Sequence, residues 1–329
     1  MGEATNLMKR AAESLFPADA GEQAAFLAAL TDPPAKGGAV LWTVPPRPGE
    51  LETEPRAELP PWLPESVELL RPGTKAGRSS AYARGEIYPL DFASVATGSA
   101  MLAARPPRPP RVLDLCAAPG GKSILASVLL RPELILANEV EGKRLGPLRH
   151  NLARCRVRNA FTQRLDAEAL AALAPAAFDL CLVDAPCSGQ SLLAKGIPNP
   201  GCFHPATVKG NARRQARILA AAADAVAPGG ALLYTTCTFS LRENEGAVER
   251  FLSRRPDFTA LEVPHLEEFR SPLGNHPGYR IYPHRSPGAG GFAALLRRAG
   301  NALVGDRGGL PDALLVFPVV PGSPPVTAA

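Results

Sequence analysis

No apolar run in this 329-residue chain approaches the roughly 20 residues that a membrane-spanning helix needs. Met1 to Phe16 also lacks the apolar core of a secretory signal, so the cytoplasm is the expected location. Cysteine is scarce: Cys116, Cys155, Cys181, Cys187, Cys202 and Cys237 include no C-x-x-C spacing. Cys202-x-His204 alone offers too few ligands for zinc, so neither a disulfide framework nor a metal site is expected. No internal repeat is found. Lysine is sparse as well, with 7 of the 36 basic residues, so the other 29 are arginine.

What is present is a 46% apolar chain able to bury a large core in one or two domains. The formal charge of +5 is unevenly spread. Residues 1–71 hold 6 basic against 11 acidic side chains, which leaves 30 basic and 20 acidic residues in 72–329. That second part contains every motif with chemical content, and a polyanionic partner suits its balance of +10.

The first seventy residues read as one helical segment from about Glu3 to Leu30, followed by a proline-rich stretch (Pro33, Pro34, Pro45, Pro46, Pro48, Pro55, Pro60, Pro61, Pro64). The expectation is a small lobe, residues 1–72, packed beside a main domain of residues 73–300. Between Arg105 and Arg111 the run RPPRPPR cannot be helical inside, because proline lacks an amide donor and restricts its predecessor. From Val112 short β-rich runs alternate with longer helical ones, the signature of a parallel sheet covered on both faces. Strands are expected at Val112–Leu115, Leu134–Asn138, Ala160–Arg164, Leu180–Asp184, Ala231–Thr236 and Phe292–Leu296. Helices are expected at Lys122–Leu130, Glu141–Arg154, Pro205–Val226 and Glu243–Ser253. The tail, residues 301–329, is rich in Pro and Gly and reads as partly disordered.

Two sites stand out. In Val112-Leu113-Asp114-Leu115-Cys116-Ala117-Ala118-Pro119-Gly120-Gly121-Lys122-Ser123, an apolar strand runs into small residues, two glycines and then a helix. Glycine lets the backbone approach a ligand, and the free amides at a helix start favour polar groups. The phosphate-loop pattern G-x-x-x-x-G-K-[ST] is not met, because Gly120 and Gly121 are adjacent. The next strand ends in Glu139, a carboxylate suited to ribose hydroxyls, and Asp166 closes the one after, facing an adenine amino group. Arg144, on the helix after Glu139, joins these cofactor-binding candidates.

The second site pairs two strand ends. Phe178–Asp184 delivers Asp184 and then Cys187 into a tight turn, and Ala231–Thr236 delivers Cys237 one strand later. A small buried apolar role suffices for Cys116, Cys155 and Cys181. The polar turns around Cys187 and Cys237 argue for chemistry there.

The segments LDLCAAPGGKS, DAPCSG and TTCTFS, followed by Glu243-Asn244-Glu245, resemble the Sun/RsmB-type family of RNA 5-methylcytosine methyltransferases, also called the NOL/NOP/SUN group. The likeness runs from about Gly85 to Leu296. It departs where the family often has Gln-Asp and Thr-Asp-Gly-Phe and this chain has Leu90-Asp91 and Ala289-Gly290-Gly291-Phe292. The resemblance implies a Rossmann-like class I methyltransferase: α/β, with a mostly parallel seven-stranded sheet, helices on both faces and a small N-terminal lobe. It implies S-adenosylmethionine as cofactor, held by Cys116, Ala117, Ala118, Pro119, Gly120, Gly121, Lys122, Glu139, Arg144, Asp166 and Asp184. It implies RNA as substrate, ribosomal rather than transfer RNA, and a monomer that needs no metal and no membrane.

By the same resemblance Cys237 is the nucleophile, Cys187 assists product release, Asp184 bonds ring nitrogen 3, and Lys122 sits near Asp184 and the target ring. Carbon 5 of cytosine is a poor nucleophile until a thiolate attacks carbon 6, which explains the need for cysteine. DNA cytosine methyltransferases use the cysteine of a Pro-Cys pair, so Pro186-Cys187 is ambiguous alone, and Thr236-Cys237 decides for RNA. No acidic residue occurs from Ala185 through Ala223, while Lys195, Lys209, Arg213, Arg214 and Arg217 do, a candidate phosphate surface. Arg78 and Arg84 beside Tyr82 and Tyr88 form a second candidate RNA contact. Two rival readings stand beside the enzyme: a ribosome-assembly factor that has lost turnover, and a methyltransferase acting on another atom or on DNA.

Overall fold

The computed structural model describes residues 3–106, 109–300 and 307–319. The expected single N-terminal helical segment is two helices, α1 (Asn6–Leu15) and α2 (Ala20–Thr31). Pro17 interrupts the helical hydrogen bonding, and the Asp19 carboxylate restarts it by accepting from the Glu22 amide at 2.9 Å. Their apolar faces bury Met8, Leu15, Phe26 and Leu30 against Phe239 and Tyr282 of the main domain.

The proline-rich stretch contains structure that its composition hides. Strands β1 (Ala39–Trp42) and β2 (Val67–Leu69), then a short helix α3 (Ser80–Ala83) and strand β3 (Ile87–Leu90), form an antiparallel sheet in the order β2-β1-β3. Ala39-Val40-Leu41-Trp42 is fully buried and flanked by Gly37-Gly38 and Pro45-Pro46, a strand signal masked by the surrounding prolines. The third strand lies beyond residue 72, so this sheet continues past the expected lobe.

Helix α4 (Phe92–Ser99) leads toward the main sheet, whose strands are β4 (Arg111–Asp114), β5 (Leu134–Asn138), β6 (Ala160–Gln163), β7 (Phe178–Asp184), β8 (Val226–Thr236), β9 (Phe258–Leu261), β10 (Tyr279–Ile281) and β11 (Gly291–Arg298). Within the run from Arg105 to Arg111, residues 107 and 108 lie outside the described residues. Helices α5 (Gly121–Leu130), α6 (Gly142–Arg154), α7 (Ala167–Leu173), α8 (Pro205–Ala225) and α9 (Glu245–Arg254) fill the crossovers. The lateral order is β10-β11-β8-β7-β4-β5-β6, with β8-β7-β4-β5-β6 parallel and β11 antiparallel to β8. The sheet is seven positions wide, as expected, but holds eight strands. β10 and β9 share one edge of β11, against Gly291–Ala293 and Leu295–Arg298.

Side chains alternate between two cores, as the period of a strand requires. Val112, Ile135, Leu180 and Leu182 face the layer of α4, α5 and α6. Leu113, Leu136, Cys181 and Val183 face α7, α8 and α9. β8 begins at Val226, ahead of the expected Ala231. Pro228-Gly229-Gly230 reads as a break, yet the strand passes through it with a register shift opposite Phe178–Leu180. A Cβ on Gly230 would lie 2.9 Å from the Asp179 carbonyl, so only glycine allows that approach.

Within the tail, residues 307–319 run along β6. Gln163 Nε2 donates to the carbonyls of Ala313 at 3.1 Å and Leu314 at 3.0 Å, and the Thr162 amide donates to Phe317 O. Leu314 is buried, so this segment covers the open edge of β6. Residues 301–306 and 320–329 lie outside the described residues. Among the described residues no helix is long and apolar enough to cross a membrane.

Candidate active site

Strand order reverses at β4: the chain moves outward through β5 and β6, then returns to place β7 on the other side. Ligands of open parallel sheets bind at the carboxyl ends beside such a switch. Every motif picked out from sequence meets there. After β4, Gly120 takes φ +114°, a conformation that strains any side chain, and caps the start of α5. The loop is held from outside: Asn151 Nδ2 donates to Pro119 O at 2.8 Å, and the Arg144 guanidinium donates to Ala118 O.

A cavity of about 730 Å³ is lined by Cys116, Ala118, Lys122, Glu139, Arg144, Asp166, Asp184, Cys187 and Cys237. A second cavity of about 700 Å³ opens beside it and shares Cys116, Ala118, Lys122 and Asp184, while adding Ala117, Pro119 and Gly121. Gly120 lines neither, and its part is to turn the backbone. Glu139 is buried at the end of β5; its Oε1 accepts from the Glu141 amide at 2.9 Å. Its Oε2 has no hydrogen-bond donor among the described residues, although Arg144 Nη1 lies 3.1 Å away. Asp166 is exposed on the cavity, with one oxygen used to cap α7 through the Ala169 amide at 2.7 Å. Val140 and Ile218 add apolar wall to the same cavity.

Four groups converge at the other end of the cavity. Lys122 Nζ lies 2.8 Å from Asp184 Oδ2, and Thr235 Oγ1 donates to Asp184 Oδ1 at 2.9 Å. The sulfur atoms of Cys187 and Cys237 are 3.2 Å apart, and Cys237 is exposed to the cavity. The hydrogen bond shared with Cys187 holds the Cys237 thiol below its usual range, and the charges of Lys122 and Lys195 act in the same direction, against burial and the Asp184 charge. That shared hydrogen bond, together with burial, pushes the Cys187 thiol well up. Asp114, beneath the loop, is wholly buried with Oδ2 accepting from Ser123 Oγ at 2.7 Å; burial pushes its carboxyl up to about 7.

Sequence reasoning missed what holds the two thiols in place. Buried Glu243 accepts from the Ser188 amide at 2.9 Å, Ser188 Oγ at 2.6 Å and Gln215 Nε2 at 3.0 Å, which fixes the turn carrying Cys187. Asn244 accepts from Thr236 Oγ1 at 2.6 Å and donates to Thr238 O at 2.9 Å, on either side of Cys237. Glu245 pairs with buried Arg280, whose Nη1 donates to Phe239 O at 3.0 Å. The three consecutive residues were visible as a segment, but their partners lie far along the chain. The departures in loop sequence also meet, since Asp91 accepts from the Ala289 amide at 3.2 Å.

Of the basic candidates, Lys195 lines the second cavity, 3.7 Å from Asp91, and Lys209, Arg213, Arg214 and Arg217 lie on α8. The cluster around Arg78 and Arg84 does not stand as an RNA platform. Arg84 pairs with Glu50 and Glu86, the Arg154 guanidinium covers Tyr82 at 3.8 Å, and Tyr88 is buried. Cys155, Cys181 and Cys202 are buried away from both cavities, and no metal-binding group of His, Cys, Asp or Glu is found among the described residues.

Residues 101–297 match the family described as 16S rRNA methyltransferase RsmB/F. The chain is 32% identical over 249 residues to ribosomal RNA small subunit methyltransferase F of Cronobacter sakazakii, covering 73% of this chain and 51% of that protein. It thus spans about half the length of the curated relatives it matches. Among solved structures, PH0851 superposes with a TM-score of 0.74 at 24% identity, over 91% of this chain and 69% of that one. NSun6 from Pyrococcus horikoshii, solved with SFG, superposes with a TM-score of 0.69 at 20% identity, over 90% of this chain and 99% of that one. Both likenesses concern the fold.

Proposed function

This chain belongs to the 16S rRNA methyltransferase RsmB/F family, and on that premise we propose that it methylates carbon 5 of a cytosine in small-subunit ribosomal RNA through a covalent Cys237 adduct. The observation that carries the proposal is the meeting of two thiols 3.2 Å apart with a Lys122–Asp184 pair on one cavity. When bound, S-adenosylmethionine supplies an electrophilic methyl group on a sulfonium. The cavity suits it: Glu139 keeps a buried oxygen without a donor for a ribose hydroxyl, Asp166 stands exposed beyond it, and Val140 and Ile218 give apolar wall.

The chain's own residues make the ring reactive. The Cys237 sulfur bonds to carbon 6, and the displaced π pair makes carbon 5 electron-rich. Asp184, positioned by Thr235 and Lys122, shares a proton with nitrogen 3; that proton moves onto the ring as negative charge develops there and returns to Asp184 on elimination. Once carbon 5 carries the methyl group, its proton leaves to a base and the C–H pair restores the double bond. The electrons of the C6–S bond return to Cys237. Cys187 assists that elimination from the adjacent turn.

Small-subunit rRNA carrying 5-fluorocytosine tests this, because fluorine at carbon 5 blocks the final proton loss. The wild-type protein with S-adenosylmethionine is expected to form a denaturant-stable complex, and Cys237→Ala to form none. A complex that survives Cys237→Ala, or none with the wild type, overturns the covalent route.

A further inference from the structure

Helices α8 and α9 pack side by side, and a groove of about 830 Å³ runs between them on the outer face. Its floor is made of Gly210, Ala212, Ala216 and Ala220. Its walls carry Arg213, Arg214 and Arg217 from α8 and Arg242, Arg250 and Arg254 from α9 and the turn before it, with no acidic and no aromatic side chain among the lining residues. The chain makes many ion pairs elsewhere, yet none of these six arginines has an acidic partner among the described residues.

That concentration works against the fold. Arg213 and Arg217 stand four residues apart on one helix, as do Arg250 and Arg254 on the other, and like charges at that spacing repel. Arg250 is held below the ordinary arginine range, first by burial and then by Arg242 and Arg254. A surface kept positive at such a cost suits an anion. Arg214 and Arg217 also line the reaction cavity, so the groove continues from the place where a target base would enter. Guanidinium groups with no aromatic side chain beside them are suited first to phosphate contacts.

We propose that the α8–α9 groove is a phosphate track that carries the RNA backbone flanking the target nucleotide out of the reaction cavity. This rests on the reading of the chain as an RNA methyltransferase. It makes the chain's grip on RNA sequence-independent here and leaves base choice to the cavity.

The test uses Arg242→Gln/Arg254→Gln, two exposed positions that line neither of the active-site cavities, and Arg242→Lys/Arg254→Lys, which keeps the charge. Binding of a fluorescent 16S rRNA transcript is titrated over a range of salt, and methyl transfer to the same transcript is measured alongside. The glutamine pair is expected to weaken binding on the order of tenfold and to flatten the log–log salt slope by about 1.4, two contacts at roughly 0.7 each. KM for RNA should rise with kcat unchanged, and the lysine pair should restore the slope. An unchanged slope and KM in the glutamine pair overturns the groove. If the glutamine pair loses salt-dependent binding while the wild type transfers no methyl group, the groove stands and the methyltransferase reading fails.

Discussion

Two turns at the same sheet edge, after β7 and after β8, each present one cysteine, and the two thiols are driven in opposite directions. The Cys187 turn is clamped from below by Glu243, through both the amide and the hydroxyl of Ser188. The Cys237 turn is tied on either side of its sulfur by Asn244 and through Arg280 to Phe239. Phe239 in turn packs edge-on against Phe26 of α2, with ring centroids 5.0 Å apart. The 3.2 Å contact between the two sulfur atoms lowers the Cys237 thiol and raises the Cys187 thiol. Location on the edge therefore does not set reactivity. The contact between the sulfur atoms and the lysine charges near Cys237 do.

The sharpest break in that comparison is to remove each sulfur in turn. Cys237→Ala should reduce methyl transfer by at least about 10³-fold while leaving S-adenosylmethionine binding intact. Cys187→Ala should reduce turnover by roughly 10²-fold and accumulate a covalent complex with ordinary RNA, seen as a band shift on denaturing gels. The same variant removes the main cause of the lowered Cys237 thiol, so the pH midpoint for alkylation of Cys237 should move upward. An unmoved midpoint would show that Lys122 and Lys195 set the thiolate, not the neighbouring sulfur.

A smaller effect is expected from the clamp beneath Cys187. Glu243→Gln keeps the volume but replaces one acceptor oxygen with an amide that cannot accept from all three donors. Turnover should fall roughly tenfold to thirtyfold with KM for S-adenosylmethionine unchanged, because the substitution shifts one turn and leaves the Glu139 end alone. Equal losses in the two parameters would assign Glu243 to the whole cavity and not to the Cys187 turn.

The main sheet was legible because β4 to β8 are short apolar runs ending in polar turns, and because the chemistry sits in those turns. Cys187, Cys237, Asp184, Lys122 and Glu139 could be placed on one edge without coordinates, since parallel strands bring their carboxyl ends together. Other parts depended on partners distant in sequence. Arg280 reads as an ordinary polar residue in a three-residue strand until Glu245 is seen against it. β1 lay among prolines, which suppress any strand reading, and α1 and α2 merged because the alanine-rich residues on both sides of Pro17 favour helix. The 307–319 segment has a disordered composition, yet the exposed edge of β6 gave its carbonyls donors.

The smallest expected effect concerns the two carboxyls beneath and beside Lys122. Asp184 is partly exposed and paired, whereas Asp114 is wholly buried, keeps one oxygen without a donor among the described residues, and has its carboxyl pushed up to about 7. An acid raised on folding binds its proton more tightly in the native state. The native state therefore holds more protons than the unfolded chain between about pH 4 and pH 7, and stability must fall as pH rises through that range. For a folded value near 7 the loss between pH 6 and pH 8 is about 1.4 kcal/mol. Asp114→Asn keeps an oxygen to accept from Ser123 and removes the titration. Denaturant unfolding of the cofactor-free protein at the two pH values should show that loss in the wild type and its absence from the difference curve of the variant. If both proteins lose the same stability, the Lys122 charge stabilises both carboxylates together, and the contrast between Asp114 and Asp184 is one of exposure alone.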